Sequence, residues 1–156
     1  FYFPPELFGW EGIDEQQGAF SIVALEHSSV CEIPTETFYA LIREHPLLQR
    51  QFINMTAKRI HHENTKQLRT TAEQRLSQFL LMLTRHYKML GFAHNICKLV
   101  MAHQDIANYL RLAPATVSRI LHQLQNRNIL TISRKEIFIT NTEKLTELSH
   151  GFVPSI

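Results

Sequence analysis

The chain lacks several features that would place it in a specialised class of protein. Only two cysteines, Cys31 and Cys97, occur in 156 residues. This is too few for a disulfide framework and fits a reducing, cytoplasmic compartment. The longest apolar runs, such as residues 79–83, are far too short to cross a bilayer, so no membrane partner is expected. The formal net charge is only +2, which excludes a non-specific polycation.

Residue types that carry catalysis or hold metals are present, but they are not grouped. The sequence has no Gly-rich phosphate loop, and its carboxylates show no pairing for general acid–base work. Adjacent His61 and His62 point about 100° apart on a helix and do not converge. The other histidines are scattered and are expected to be solvated. We therefore expect neither an enzyme nor a histidine metal site.

The most informative segment is residues 103–125, which predicts two amphipathic helices separated by a tight break. Apolar residues recur at helical spacing on both sides of the break: Ile106, Ala107 and Leu110, then Val117, Ile120, Leu121 and Leu124. Pro114 suits a first helical position. Such helix pairs are often only core elements, but here β-type runs at 129–132 and 137–140 follow, separated by a basic tip. Together these features predict a winged helix-turn-helix.

The start of the second helix is predicted to read DNA. Its outward-facing residues are Ala115, Thr116, Ser118 and Arg119. Arg can donate twice to a guanine edge and Ser can meet either base, which suits a major groove. The residues predicted to contact the DNA backbone are Gln104, His122, Arg127, Arg134 and Lys135.

A long helix is predicted from Pro46 to about residue 70, and it is expected to form a homodimer. Its seam positions recur at steps of three and four residues, the spacing of a two-helix coiled coil, with Asn64 as a polar register residue: Ile53, Ala57, Ile60, Asn64 and Leu68. An ordinary core helix is the alternative. A further helix is predicted over 72–90, with a capping box from Thr71 to Gln74, and a short one over 141–150.

Residues 1–34 are punctuated by Pro and Gly and predict strands at 21–26 and 28–33. A few strands cannot close a stable sheet alone, so exposed edges are expected. Because the chain opens on Phe1 within apolar sequence, we expect the natural protein to begin upstream. The predicted class is α+β, with a sensor-domain remnant at 1–45, a dimerisation helix at 46–70 and a DNA-binding domain at 71–156.

The order of these segments resembles the catabolite-activator/FNR superfamily of bacterial transcription regulators. The sequence at 72–76, Ala-Glu-Gln-Arg-Leu, looks like the family's hinge, and Thr116-Val117-Ser118-Arg119 resembles the FNR branch, which reads a TTGAT half-site. The resemblance implies a partial β-roll (a jelly-roll remnant), with double-stranded DNA and RNA polymerase as partners. The chain departs from FNR at Ala115, where FNR has Glu, and at Arg111, where the family has a turn Gly.

The segment Val30-Cys31-Glu32-Ile33-Pro34 also resembles FNR, in which the matching cysteine is one of four ligands of an oxygen-labile [4Fe–4S] cluster. The resemblance implies that the complete protein senses oxygen or redox state through Cys31 and upstream cysteines, while this chain alone holds no cluster. Cys31 as a buried strand thiol is the alternative. A response to haem, nitric oxide or an organic effector, or a winged-helix scaffold for protein contacts, stays open. No basic residue lies within 1–26 to hold a cyclic nucleotide phosphate.

Overall fold

The computed structural model describes residues 1–4, 6–12, 21–65 and 70–150, with the backbone alone at positions 11 and 61–65. The chain divides into two compact units, Phe1–Gln67 and Leu68–Ile156. Within the described ranges there are six α-helices and one three-stranded antiparallel sheet. The predicted α+β class is confirmed. In the same ranges, no helix combines the length and the apolar character that a membrane span requires.

The first unit contains two helices, α1 (Thr35–Glu44) and α2 (Pro46–Thr65). Phe52 of α2 packs edge-on against Phe38 of α1, with ring centroids 5.1 Å apart, and against Trp10 at 6.0 Å. Helix α2 begins at the predicted Pro46, but residues 66–69 of its predicted extent lie outside the described residues. Helix α1 was not predicted, although Phe38 and Ile42, both half-buried, are spaced one helical turn apart.

The strands predicted at 21–26 and 28–33 are wrong. These residues form irregular chain and bends with no ladder partner among the described residues, and every residue from 21 to 37 is exposed. The alternating sequence suits a strand, but a strand is stabilised only when a neighbour accepts and donates its backbone hydrogen bonds. Among the residues that the structure describes, the sheet lies entirely in the second unit.

The second unit is built on α3 (Ala72–Met89), which begins with the predicted capping box. Thr71 Oγ1 accepts from the Gln74 amide at 3.2 Å, and Gln74 Oε1 accepts from the Thr71 amide at 2.6 Å. The helix ends just before Gly91, whose φ is +87°. His86, expected to be solvated, is instead buried at 7 % exposure because it faces the core beside Tyr87.

The remaining elements pack around α3 as a winged helix. They are α4 (His103–Leu110), α5 (Pro114–Asn126), α6 (Thr142–His150), and strands β1 (Ile96–Lys98), β2 (Leu130–Ser133) and β3 (Glu136–Ile139). All seven apolar residues predicted for the two helices of the helix-turn-helix are buried. Each buried Leu, Ile or Val side chain stabilises the fold by roughly 1.5–3 kcal/mol. The core therefore fixes which face of α5 remains outside.

Strand β1 was not predicted, and Cys97 lies in it. The sheet order is β1-β3-β2, and Cys97 pairs with Ile137 in register. Three residues are too few to show an alternating pattern, so β1 exists because β3 offers it a partner. The pairing continues beyond the strand, where the Leu99 amide donates to the Lys135 carbonyl at 2.7 Å.

Candidate nucleic-acid interface

The turn between α4 and α5 is closed by backbone hydrogen bonds around a strained residue. Arg111 has φ 54° and ψ 51°, the left-handed conformation that the family's glycine would adopt without cost. For a residue with a side chain this conformation costs on the order of 1 kcal/mol. The Leu112 amide donates to the Ala107 carbonyl at 2.8 Å, and the Arg111 amide to the Asn108 carbonyl at 3.2 Å. The turn is tight although its residue type is unfavourable.

Helix α5 begins without a side-chain cap. Ala113 is the N-cap residue with ψ 144°, and its methyl group accepts no hydrogen bond. The loss relative to Ser or Thr is about 1 kcal/mol. Pro114 occupies the first helical position, as predicted, and its fixed φ is already suited to the helix.

The outer face of α5 carries the predicted base-reading residues. Ala115, Ser118 and Arg119 are exposed, whereas Thr116 is half-buried. Positions 115, 118, 119 and 122 lie on one face because they are separated by three, one and three residues. Within the described part of the chain, Arg119 makes no hydrogen bond or ion pair, so its guanidinium is available to a ligand. That these residues contact bases stays a prediction.

The wing is the β2–β3 hairpin, and two basic residues form its tip. Ser133 pairs with Glu136, which leaves Arg134 and Lys135 as the connecting residues, both exposed. Arg134 has φ 57°, another left-handed residue in a tight turn. The hydrogen bond between Leu99 and the Lys135 carbonyl attaches the tip backbone to the chain that follows β1. The two cationic side chains therefore extend from a tip whose backbone is fixed by the hairpin pairing and by the hydrogen bond from Leu99.

The other predicted backbone contacts differ in their surroundings. His122 is exposed on α5. Gln104 is exposed on α4, where its Nε2 donates to Asn108 Oδ1 at 3.1 Å. Arg127 caps the far end of α5, about 20 Å along the axis from Pro114 at 1.5 Å per residue. Its Nη1 lies 2.7 Å from Glu73 Oε1 on α3, so it is already engaged within the protein.

Two residues of α3 that the sequence analysis did not assign to the site contact the helix-turn-helix directly. One is Glu73. The other is Arg75, whose Nη1 donates to the carbonyls of Leu110 at 2.8 Å and Arg111 at 3.2 Å. The Ala-Glu-Gln-Arg-Leu sequence marked this region as a hinge, but nothing local to it indicates a partner 35 residues away. Only the tertiary fold reveals that contact.

The predicted dimer seam is exposed where it is described. Ile53 is 58 % exposed and Ile60 54 %, and Ala57 between them is also exposed. The Asn64 side chain and Leu68 lie outside the described residues. A helix that presents isoleucines at this spacing to solvent has apolar surface that a second helix would cover.

The two cysteines occupy opposite environments. Cys31 is exposed and lies in no strand, so the alternative of a buried strand thiol is wrong for it. Cys97 is buried, and burial raises the pKa of its thiol to about 11, against a smaller lowering by a hydrogen bond with Thr84. Among the residues that the structure describes, no three His, Cys, Asp or Glu side chains are grouped to hold a metal. The residues present therefore do not fit a four-cysteine cluster.

Comparison with known proteins identifies the same domain. Residues 74–148 match the Crp-like helix-turn-helix domain. The chain is 35 % identical to the transcriptional activator protein Anr of Pseudomonas protegens, over 98 % of the chain and 64 % of that protein. It is 34 % identical to the fumarate and nitrate reduction regulatory protein of Yersinia pestis, over 100 % of the chain and 64 % of that protein. The chain thus spans less than two thirds of the length of these curated relatives.

Solved structures agree with this assignment. FixK2 from Bradyrhizobium japonicum superposes on 78 % of the chain and 61 % of its own length, with a TM-score of 0.67 and 27 % identity. A regulator of the crp/fnr family from Eubacterium rectale shares the fold, with a TM-score of 0.54 and 22 % identity over 76 % of the chain and 53 % of its own length. The curated relatives are transcription regulators and not enzymes. Because the geometry and the comparisons agree, residues 74–148 form a Crp-like helix-turn-helix domain, in a chain that is similar to transcription regulators of the catabolite-activator/FNR superfamily.

Proposed function

We propose that this chain binds a palindromic, TTGAT-like operator as a homodimer, in the manner of the FNR branch. The observation that carries the proposal is the exposed Ser118-Arg119 pair on the first half of α5, with an unengaged guanidinium and a basic wing in the same domain. Arg donates two parallel hydrogen bonds to the O6 and N7 of a guanine, and Ser donates to or accepts from a neighbouring base. A winged-helix protein that only contacted other proteins would have no need for this arrangement.

Ala115 sets an expectation for site preference. Its methyl group is exposed at the second helical position and can contact a thymine methyl, but it cannot accept a hydrogen bond from a cytosine amine. FNR has Glu at this place, so we expect weaker discrimination at the corresponding base pair than a Glu would give.

The residues proposed to contact the DNA backbone lie at two places, the wing tip and the helix-turn-helix. Arg134 and Lys135 at the wing tip would meet phosphates of the flanking DNA, with His122 and Gln104 nearer the groove. Phosphate contacts fix register and orientation but carry no sequence information. Arg127 would contribute only if a phosphate competed with Glu73 for its guanidinium.

The homodimer would form through residues 46–70. A two-fold operator requires two reading helices at a fixed spacing, which a parallel pair of α2 helices supplies. RNA polymerase is the proposed protein partner at the promoter, in keeping with the transcriptional activators to which the chain is similar.

The base-reading assignment is tested by Arg119→Ala. A bidentate Arg–guanine contact contributes roughly 1–3 kcal/mol, and a dimer makes two, so the affinity ratio of operator to random duplex should fall at least about 30-fold. Fluorescence anisotropy with both duplexes at one salt concentration measures this ratio. Arg85→Ala, an exposed change of the same charge on α3, is the matched control. A ratio that Arg119→Ala leaves unchanged rejects the assignment.

The proposed signal is oxygen or redox state, sensed in a longer protein that contains this chain. The exposure of Cys31 makes its thiol accessible to ligation, but a cluster would need further cysteines from outside this sequence. In a protein that supplied them, Cys31→Ser should abolish iron binding and oxygen-dependent DNA binding, while Cys97→Ser should leave both intact. Retention of iron and of the oxygen response in Cys31→Ser would favour haem, nitric oxide or an organic effector as the signal.

A further inference from the structure

The first turn of α3 contacts the turn that precedes α5 and the residue that ends α5. At one end, Arg75 Nη1 donates to the carbonyls of Leu110 and Arg111, at 2.8 and 3.2 Å, in the turn that leads into α5. At the other end, Arg127, the C-cap residue of α5, lies 2.7 Å from Glu73. Glu73 and Arg75 are two residues apart, so one turn of α3 contacts both the segment before α5 and the C-cap residue of α5.

The turn held by Arg75 is one that its own sequence stabilises poorly. Arg111 stands in a left-handed conformation that favours glycine, and Ala113 gives the following helix no side-chain cap. The last carbonyls of an α-helix also lack intrahelical donors, and a cation beside them is favoured by the helix dipole. The Arg75 guanidinium supplies both the donor and the charge at the end of α4.

The two contacts differ in strength. Arg75 is half-buried and its Nε is fully enclosed, so its hydrogen bonds form in a partly desolvated site. The side chains of Glu73 and Arg127 are 34 % and 50 % exposed, and an exposed ion pair contributes little because solvent screens it. The main restraint on the start of α5 therefore comes from Arg75.

We propose that Arg75 is a positioning residue for DNA recognition, which holds the strained Arg111 turn and thereby sets where the first half of α5 lies, with Glu73 as a weaker second restraint. This inference rests on the proposed DNA-binding function. Ser118 and Arg119 lie within two turns of the Arg111 turn. A bidentate base contact tolerates little displacement, whereas the wing cations can still meet a phosphate. Loss of Arg75 should therefore reduce sequence preference more than overall DNA affinity.

The experiment compares the parent chain with Arg75→Gln, Arg111→Gly and the double variant. Glycine adopts the left-handed turn without strain, so it should keep α5 in place when the restraint is gone. We expect Arg75→Gln to lower the operator-to-random affinity ratio about tenfold, the scale of a lost charge-assisted hydrogen bond. Arg111→Gly alone should leave the ratio within about twofold, and the double variant should recover most of the loss.

Hydrogen exchange at the Leu112 amide provides a readout that does not depend on DNA. This amide donates to the Ala107 carbonyl across the turn at 2.8 Å. Its exchange should accelerate in Arg75→Gln and return towards the parent rate in the double variant. Arg85→Gln is the control of matched charge, and Glu73→Gln should change the affinity ratio by less than about twofold, as befits an exposed ion pair.

The outcomes separate the two proposals. If the parent chain shows no preference for the operator, the proposed function fails, and the Leu112 exchange rate still decides whether Arg75 holds the turn. If the parent prefers the operator but Arg75→Gln leaves both the ratio and the exchange rate unchanged, the positioning role is overturned. A double variant that is as impaired as Arg75→Gln would also overturn it, because Arg75 would then act by some route other than the strained turn. Arg75→Lys, which keeps the charge but reaches fewer acceptors, should lie between parent and Arg75→Gln.

Discussion

Ile60→Asp should convert the proposed dimer to monomer. Ile53 and Ile60 are 58 % and 54 % exposed in the single chain, so about half of each side chain remains to be covered by a partner. Covering half of an isoleucine contributes about 1 kcal/mol, so removing Ile60 from both helices costs roughly 2 kcal/mol. The two carboxylates placed in the seam add a desolvation cost of at least a similar size. The total of roughly 4 kcal/mol or more corresponds to about a thousandfold rise in the dimer Kd.

Sedimentation equilibrium over a range of protein concentrations measures this change directly. Gln51→Asp is the matched control, because Gln51 is exposed on the same helix, lies away from the seam and undergoes the same change in charge. Circular dichroism checks that the helices of both variants are retained. DNA affinity for a two-fold operator should fall together with the dimer, since each half-site alone binds weakly. If Ile60→Asp and Gln51→Asp dimerise with the same Kd, the seam along Ile53, Ala57 and Ile60 is not the interface.

Two further predictions concern the wing and the buried thiol. Arg134→Ala and Lys135→Ala should each weaken binding to operator and random duplex equally, and each should reduce the slope of log binding constant against log salt concentration by about one unit. Lys144→Ala on α6 is the control and should change neither. A changed base preference with an unchanged slope would contradict phosphate contact. Burial raises the pKa of the Cys97 thiol from its ordinary value of 9.0 to about 11, so the folded state favours the neutral thiol. The contribution of this group to the free energy of unfolding is complete below about pH 9 and is lost as pH rises towards 11. The free energy of unfolding should therefore fall less steeply between pH 9 and 11 in Cys97→Ala than in the parent, and equal slopes would refute this. A thiol reagent at pH 8 should modify Cys31 but not Cys97 in the folded chain, and equal reactivity of the two thiols would refute their difference in burial.

The sequence by itself determined those elements whose signals are local. Helical spacing identified α4 and α5, a capping box identified the start of α3, and β-type runs around a basic tip identified the hairpin. The roles of Pro114 and of Arg111, which stands where the family has a turn glycine, could be predicted because each residue acts on its own backbone. The structure places Pro114 at the first helical position and Arg111 in a left-handed turn. In each case the residues that define the element lie within a few positions of one another.

The tertiary structure decided whatever depends on a distant partner. The residues at 21–33 have a strand-like pattern but find no ladder among the described residues, whereas Ile96–Lys98, too short to show a pattern, becomes a strand because β3 pairs with it. Cys97 is buried and Cys31 exposed for the same reason, since burial depends on what packs across the chain. The contact of Arg75 with the Arg111 turn spans more than thirty residues, and no local pattern encodes it. Hydrogen bonds and apolar contacts across such separations form only once the core has brought their partners together.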